Sequence, residues 1–337
     1  MPDTMLKPSL FSALIGLSGI AGSAVFVQAP VPADSKLKAV QIPMTKLTPD
    51  AIFAVPGTPD WLAVDDDVWV SNYPKDSVTR MGVKTDTVIA TIPVGKNPCS
   101  GLAAGFGAIW VPNCGDQTIS RVDVKTNAVV ATIPMGIGDS EGGIATGAGS
   151  VWIVTDKKGT LVRIDPATNK AIVEIPIAPG SYGIAFGEGA AWITSSDKDL
   201  VTRIDPRTNL VVETIPVGKT PRFIAVGEGG VWTLNQGDGT VTRIDPKTNK
   251  VVATIEAGLP GKGGEIAAGE GSVWATLFGY PITRIDPATN KVAQQFVGEG
   301  GDAIRVGHKS VWLSNLRQHT VWRLDPKRIE ATVADLR

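Results

Sequence analysis

One motif recurs seven times along this chain of 337 residues, and few folds can accommodate it. A tryptophan preceded by a small or β-branched apolar residue stands at Trp69, Trp110, Trp152, Trp192, Trp232, Trp274 and Trp312. An arginine follows each, at Arg80, Arg121, Arg163, Arg203, Arg243, Arg284 and Arg323. The repeat is clearest from Val217 to Ile255, where four short apolar runs (223–226, 231–234, 240–244 and 251–255) are separated by turn chemistry. Runs rich in β-branched residues and bounded by Gly, Pro, Asn and Asp read as antiparallel strands. The breakers act by distinct means: glycines supply positive φ, Pro246 sets φ at the second turn position, and Asn249 tolerates the left-handed conformation.

A four-stranded sheet that is apolar on both faces cannot bury itself alone. Radial stacking buries both faces and leaves only short edges. A period of about forty residues is the length of one such blade. Seven marks in register therefore predict an all-β, seven-bladed β-propeller over residues 51–337, its ring closed by a terminal strand. Ala51–Val55 repeats the outer strand of a blade and normally fills that role, while Ile329–Val333 is a rival for the same position. The tryptophans are expected as core wedges. The arginines are expected as a structural ring that pairs with carbonyls or carboxylates between blades. Asp-Pro begins the third-to-fourth-strand turn in five blades, at residues 165, 205, 245, 286 and 325, and reads as turn capping.

Composition narrows the function. Hydrophobic residues are 43% and charged residues 19%, as strands buried on both faces require. A net charge of −1 argues against nucleic acid as the main partner. Leu10–Ala29 carries no charge, follows Lys7 and runs into small residues, with 31–33 as a cleavage site. Residues 1–33 thus read as a signal peptide, or as an uncleaved membrane anchor of sufficient length to span a bilayer. Residues 34–50 read as a polar linker, and the location as periplasmic or secreted. The membrane is then a partner only through the N-terminal segment, and the protein is expected to be a monomer. Folding the hairpin about Gly105–Gly107 sets Cys99 beside Cys114, so a disulfide is expected in that oxidising compartment.

A repeat protein exposes its site where the blades stop matching. The residues leading into the first strands do not repeat: Asp60 and Trp61, Glu141, Tyr182, Arg222 and Phe223, Glu265, and Asp302. Blade six adds a second break at Phe278, Gly279 and Tyr280. The candidate ligand site is therefore Asp60, Trp61, Tyr182, Arg222, Phe223, Glu265, Asp302 and Tyr280 at the channel mouth, holding a small molecule or peptide. Oxygen ligands from Glu141, Glu265 and Asp302, with Asp60, could instead hold a hard cation such as Mg or Ca. No zinc spacing, nucleophile elbow or phosphate-cradling loop is present.

Val231-Trp232, Thr240–Asp245 and Thr254-Ile255 resemble the YVTN-type propeller repeat, with Trp in place of Tyr. The Gly-Glu-Gly-x-Val-Trp run and the Arg-Ile pair resemble the streptogramin (virginiamycin B) lyases, across residues 51 to 330. That resemblance implies a seven-bladed fold, magnesium dependence, and His and Glu at the catalytic end. The family's second strand typically ends in Glu; the third residue after each Trp here is Asn72, Asn113, Thr155, Ser195, Asn235, Leu277 or Asn315. Of the two histidines, His308 falls on the face opposite the mouth and His319 in a second-to-third-strand loop on the mouth side. The leading expectation is a binding or scaffold module. The alternative is a metal-assisted lyase or lactonase using His319, Glu141, Glu265 and Asp302.

Overall fold

A computed structural model describes residues 35–99, 101–137, 141–156 and 158–333. Leu10–Ala29 and the expected cleavage site lie outside these residues. Among the described residues no helix is long and apolar enough to cross a membrane. Seven four-stranded antiparallel sheets form the ring of a β-propeller. Blade five shows the unit: Pro221–Gly227, Gly230–Asn235, Thr240–Asp245 and Lys250–Glu256, paired in sequence order from the channel outward. Asn249 sits at φ 58° and Glu228 at φ 48°, the left-handed conformation that ends each tight turn.

Packing explains why Trp and Arg recur. All seven repeat tryptophans are fully buried between blades. Each indole N–H is satisfied within its own blade, as Trp232 Nε1 donates to the Gly227 carbonyl at 3.0 Å. The arginine of the adjacent third strand lies over the indole face, with Arg243 4.8 Å from the Trp232 ring centroid. Its guanidinium then reaches the next blade. Arg243 Nη1 donates to the Pro287 carbonyl at 2.7 Å and to Asn290 Oδ1 at 2.9 Å. Arg121, Arg163 and Arg203 make the same pair of bonds to their next neighbours. One side chain thus wedges a blade and latches it to the next.

The ring closes through the N-terminus. Ala51–Ala54 pairs antiparallel with Thr320–Leu324 as the outer strand of blade seven. Phe53 is buried there against Trp312, ring centroids 5.9 Å apart. The C-terminal rival does not form a strand: Asp325 accepts from the Lys327 amide at 2.8 Å and starts the helix Pro326–Ala331, which buries Ile329. Proline at the first helical position fits there because its missing N–H would be unpaired anyway. Closure from the N-terminus leaves blade seven with no third-to-fourth-strand turn, so Arg284 pairs with Glu330 of this helix at 3.0 Å instead.

The segment read as a linker is more ordered than its polarity suggests. Gln41–Pro43 adds a fifth, parallel strand to the outer edge of blade six, and Met44–Lys46 forms one 3-10 turn. Ile42, Met44 and Leu47 supply the reason, burying against Phe296, Leu324 and Ile329.

Candidate functional site

The inner strands deliver their non-repeating residues to one end of the channel, around a cavity of about 770 Å³. Asp60, Glu141, Tyr182, Arg222 and Asp302 all line it, five blades converging on one concavity. Arg222 organises its centre. Nη2 pairs with Glu141 Oε2 at 2.5 Å and donates to the Tyr182 hydroxyl. The guanidinium lies 4.5 Å over the Tyr182 ring and 5.7 Å from the Phe223 ring. Nη1 approaches Gln236 Oε1 at 3.4 Å, and Gln236 in turn donates to the Gly263 carbonyl. Arg222 Nε is buried with no hydrogen-bond partner.

On the opposite wall the Asp60 and Asp302 carboxyls hydrogen-bond to each other. Burial first, then the neighbouring Asp302 charge and that shared bond, raise Asp60 well above the usual carboxylate range. Burial likewise raises Asp302, while the bond to Asp60 and the Gly264 amide at 3.4 Å oppose the shift. Two neighbouring carboxyls that share a hydrogen bond each disfavour ionisation of the other, so both are shifted upward.

Other predicted residues have different surroundings. Trp61 and Phe223 are buried and pack on each other across the channel, ring centroids 6.1 Å apart, so they floor the cavity and do not line it. Glu265 is only 3% exposed and lies behind the wall. Its Oε2 accepts from the Ile304 amide at 3.1 Å, and its Oε1 pairs with Arg305. Burial pushes this carboxyl up to about 7 against the opposing pull of Arg305. Tyr280 pairs with Leu277 in the hairpin of blade six and packs on the core; Phe278 lines the cavity in its place. His319 is exposed, and its Nδ1 meets the Gly57 carbonyl at 2.6 Å, outside the lining. His308 bonds the Asp65 carbonyl at the far end. Cys99 and Cys114 are joined as a disulfide with Cα atoms 5.8 Å apart, tying the approach to blade two's inner strand to the end of its second.

Sequence reading missed Tyr73, Ser196, Gln236 and Leu316, which line the cavity with Phe278. A signal was present. These are the fourth residues after the repeat tryptophans, and that position reads Tyr73, Cys114, Asp156, Ser196, Gln236, Phe278 and Leu316, different in every blade. The third residue after Trp, where Asn predominates, is scaffold: Asn235 Nδ2 donates to Thr240 at 2.9 Å and Thr242 at 2.8 Å, and Asn72 and Asn113 bond their third strands likewise.

The resemblance implies a magnesium ion, and the donor set does not fit one. Asp60 and Asp302 are hydrogen-bonded to each other, with their ionisation disfavoured, Glu141 is paired with Arg222, and Glu265 is buried against Arg305. Among the described residues no three His, Cys, Asp or Glu groups are disposed to hold a metal.

No protein-family model matches the sequence, and no curated protein matches it. Solved structures do. A streptogramin B lyase structure superposes with a TM-score of 0.69 at 20% identity, covering 80% of this chain and 94% of that one. Virginiamycin B lyase from Staphylococcus aureus superposes with a TM-score of 0.68 at 18% identity, with the same coverage. A catalytically inactive His-to-Ala form of that lyase with quinupristin gives 0.68 at 17% identity. This chain therefore has the fold of the streptogramin B lyases.

Proposed function

We propose that this propeller is a binding protein that holds a small molecule or peptide in the cavity at its channel mouth, outside the cytoplasm. One observation carries the reading: on a frame whose buried positions repeat, Tyr182, Arg222, Gln236 and Phe278 break the repeat where they line a cavity of about 770 Å³, with a pre-set cation among them. Cavities of this size with a few convergent polar groups suit small ligands. Arg222 is already oriented by Glu141 and Tyr182, so little side-chain order is lost when a ligand arrives. The disulfide and the apolar N-terminal stretch support a periplasmic or secreted location.

The fold favours a lyase as a second reading. The solved lyase is inactive when one histidine becomes alanine. Here neither histidine lines the cavity, and the mouth carboxyls are engaged with one another or with arginines. Binding fits these residues better than that chemistry. A thermal-shift screen of metabolites and short peptides tests it. At least one compound should stabilise the protein saturably, and the shift should vanish in both Arg222→Ala and Gln236→Ala. Compounds that stabilise the wild type and both variants equally would place binding elsewhere.

A further inference from the structure

The lining of the mouth cavity is divided between its sides. Blades six, seven and one contribute Phe278, Leu316 and Tyr73, three aromatic or aliphatic side chains from consecutive blades. Phe278 is 38% exposed and Tyr73 50%, so this arc stands open to whatever enters. The carboxyls of Asp60 and Asp302 lie beside it. The strand that carries Asp60 pairs with the one that ends in Tyr73, and the Ala303 carbonyl accepts from the amide of Ser314, two residues before Leu316. The charges that act on Asp60 belong to Asp302, Glu141 and Glu265, all of one sign. The corner therefore favours a cation, and the arc next to it an apolar group. On the other side stand Arg222 and Gln236 of blade five. The Arg222 Nη1 bond to Gln236 Oε1 is long, at 3.4 Å, so Nη1 can serve an acceptor on a ligand while Nη2 stays on Glu141.

We propose that the mouth cavity binds an α-amino acid unit with a free ammonium and a large apolar side chain, either the first residue of a peptide or the free amino acid. The ammonium goes to the Asp60–Asp302 corner, the side chain to Phe278, Leu316 and Tyr73, and the carbonyl or carboxylate oxygen to Arg222 Nη1. This assignment rests on the mouth being the ligand site and names its ligand class. The three groups of such a unit radiate from one carbon, and three matching surfaces border one cavity. An ammonium between the two carboxyls offsets the repulsion that disfavours their ionisation. Aromatic faces beside it attract the same charge. A volume of about 770 Å³ leaves room for the chain that follows a first residue.

Isothermal titration of the full chain with the tripeptide Phe-Gly-Gly tests this. The controls are its N-acetyl form, which lacks the ammonium, and Gly-Gly-Gly, which lacks the side chain. One Phe-Gly-Gly should bind per chain, about tenfold more tightly than either control, the strength of one charge-assisted hydrogen bond or one buried ring. Asp302→Asn should bring free and acetylated peptide to equal affinity. Phe278→Ala, at an exposed hairpin tip, should bring Phe-Gly-Gly down to Gly-Gly-Gly. Free phenylalanine separates the sources: affinity equal to that of Phe-Gly-Gly supports the amino acid as the ligand, and about tenfold weaker binding supports the peptide. Around the carboxyl pair stand Glu141 and Glu265, themselves paired with Arg222 and Arg305, so affinity should rise from about pH 5 to 7 as the pair ionises and fall above about 8 as the peptide amine loses its proton. Equal affinity of the wild type for free and acetylated peptide would overturn the proposal; if Arg222→Ala abolishes that common binding, the mouth still holds a ligand, one without an ammonium. Phe-Gly-Gly binding that is absent at millimolar concentration, or unchanged in both Asp302→Asn and Phe278→Ala, would also overturn it.

Discussion

The outer wall and the channel mouth of this propeller are made by the same strands under opposite rules. In the wall, one arrangement serves all blades but the sixth: a buried Trp, an Arg over it, and a carbonyl of the next blade to receive the guanidinium, while Arg284 of blade six pairs with Glu330. At the mouth most blades differ, and neighbouring side chains satisfy each other in pairs found nowhere else in the ring, such as Arg222–Glu141 and Asp60–Asp302. The wall is where closure must be equally strong at each of seven joints. The mouth carries no share of closure and is free to specialise. Stability and recognition are thereby separated along the length of each blade.

That separation can be broken experimentally. Trp232→Ala should destabilise most, by about 3–5 kcal/mol, because a large void opens between two blades that cannot collapse. Urea denaturation measures it, and a loss below about 1 kcal/mol would show that the wall is not the seat of stability. Removing the disulfide with Cys99→Ala and Cys114→Ala should cost about 3 kcal/mol, the value for a closed loop of this length. Ligand binding at the mouth should survive that change if the staple serves only blade two.

Glu265 sharpens the comparison through pH. Its carboxyl titrates near 7 when folded and near its ordinary 4.5 when unfolded, so the folded state holds more protons between those values. Stability attributable to this group is therefore full below about pH 4.5 and falls as pH rises through 7, by on the order of 2–3 kcal/mol. Glu265→Gln should flatten the dependence of the urea midpoint on pH across that window; an unchanged slope would show that the burial of this carboxyl does not control it. Smallest of all should be Arg222→Ala, which sits in the open mouth. Its unfolding free energy from urea denaturation should fall by no more than about 1 kcal/mol while ligand binding is lost.

Much of the architecture was legible because it repeats. Val231-Trp232 and Arg243-Ile244 announce their roles by recurring at one spacing, and the same spacing counts the blades. The mouth was legible in outline for the inverse reason, since Asp60, Glu141, Tyr182, Arg222 and Asp302 stand out by failing to repeat. Within that set, Glu265 and Trp61 look no different from Arg222 and Asp60 in sequence. Adjacent residues in an extended strand point to opposite sides, and which side faces the opening depends on the local register. The irregularities at Pro59/Leu62 and Pro221/Phe223 alter that register at the very strands that carry the site. Gln236 and Leu316 stand one residue beyond the third position after Trp, and only the fold shows that the third position bonds the scaffold while the fourth faces the cavity.

By itself the sequence determined the blade, the number of blades, and the wedge-and-latch chemistry of the wall, because these are set by contacts within a repeat and to the identical next one. The tertiary structure decided the rest. Closing a ring brings together residues that are remote along the chain: Ala51–Ala54 against Thr320–Leu324, Asp60 against Asp302, Trp61 against Phe223, Glu265 against Arg305. No local pattern encodes which rim residues meet across a channel. That is fixed by the angle between blades and by the one terminus that completes the circle.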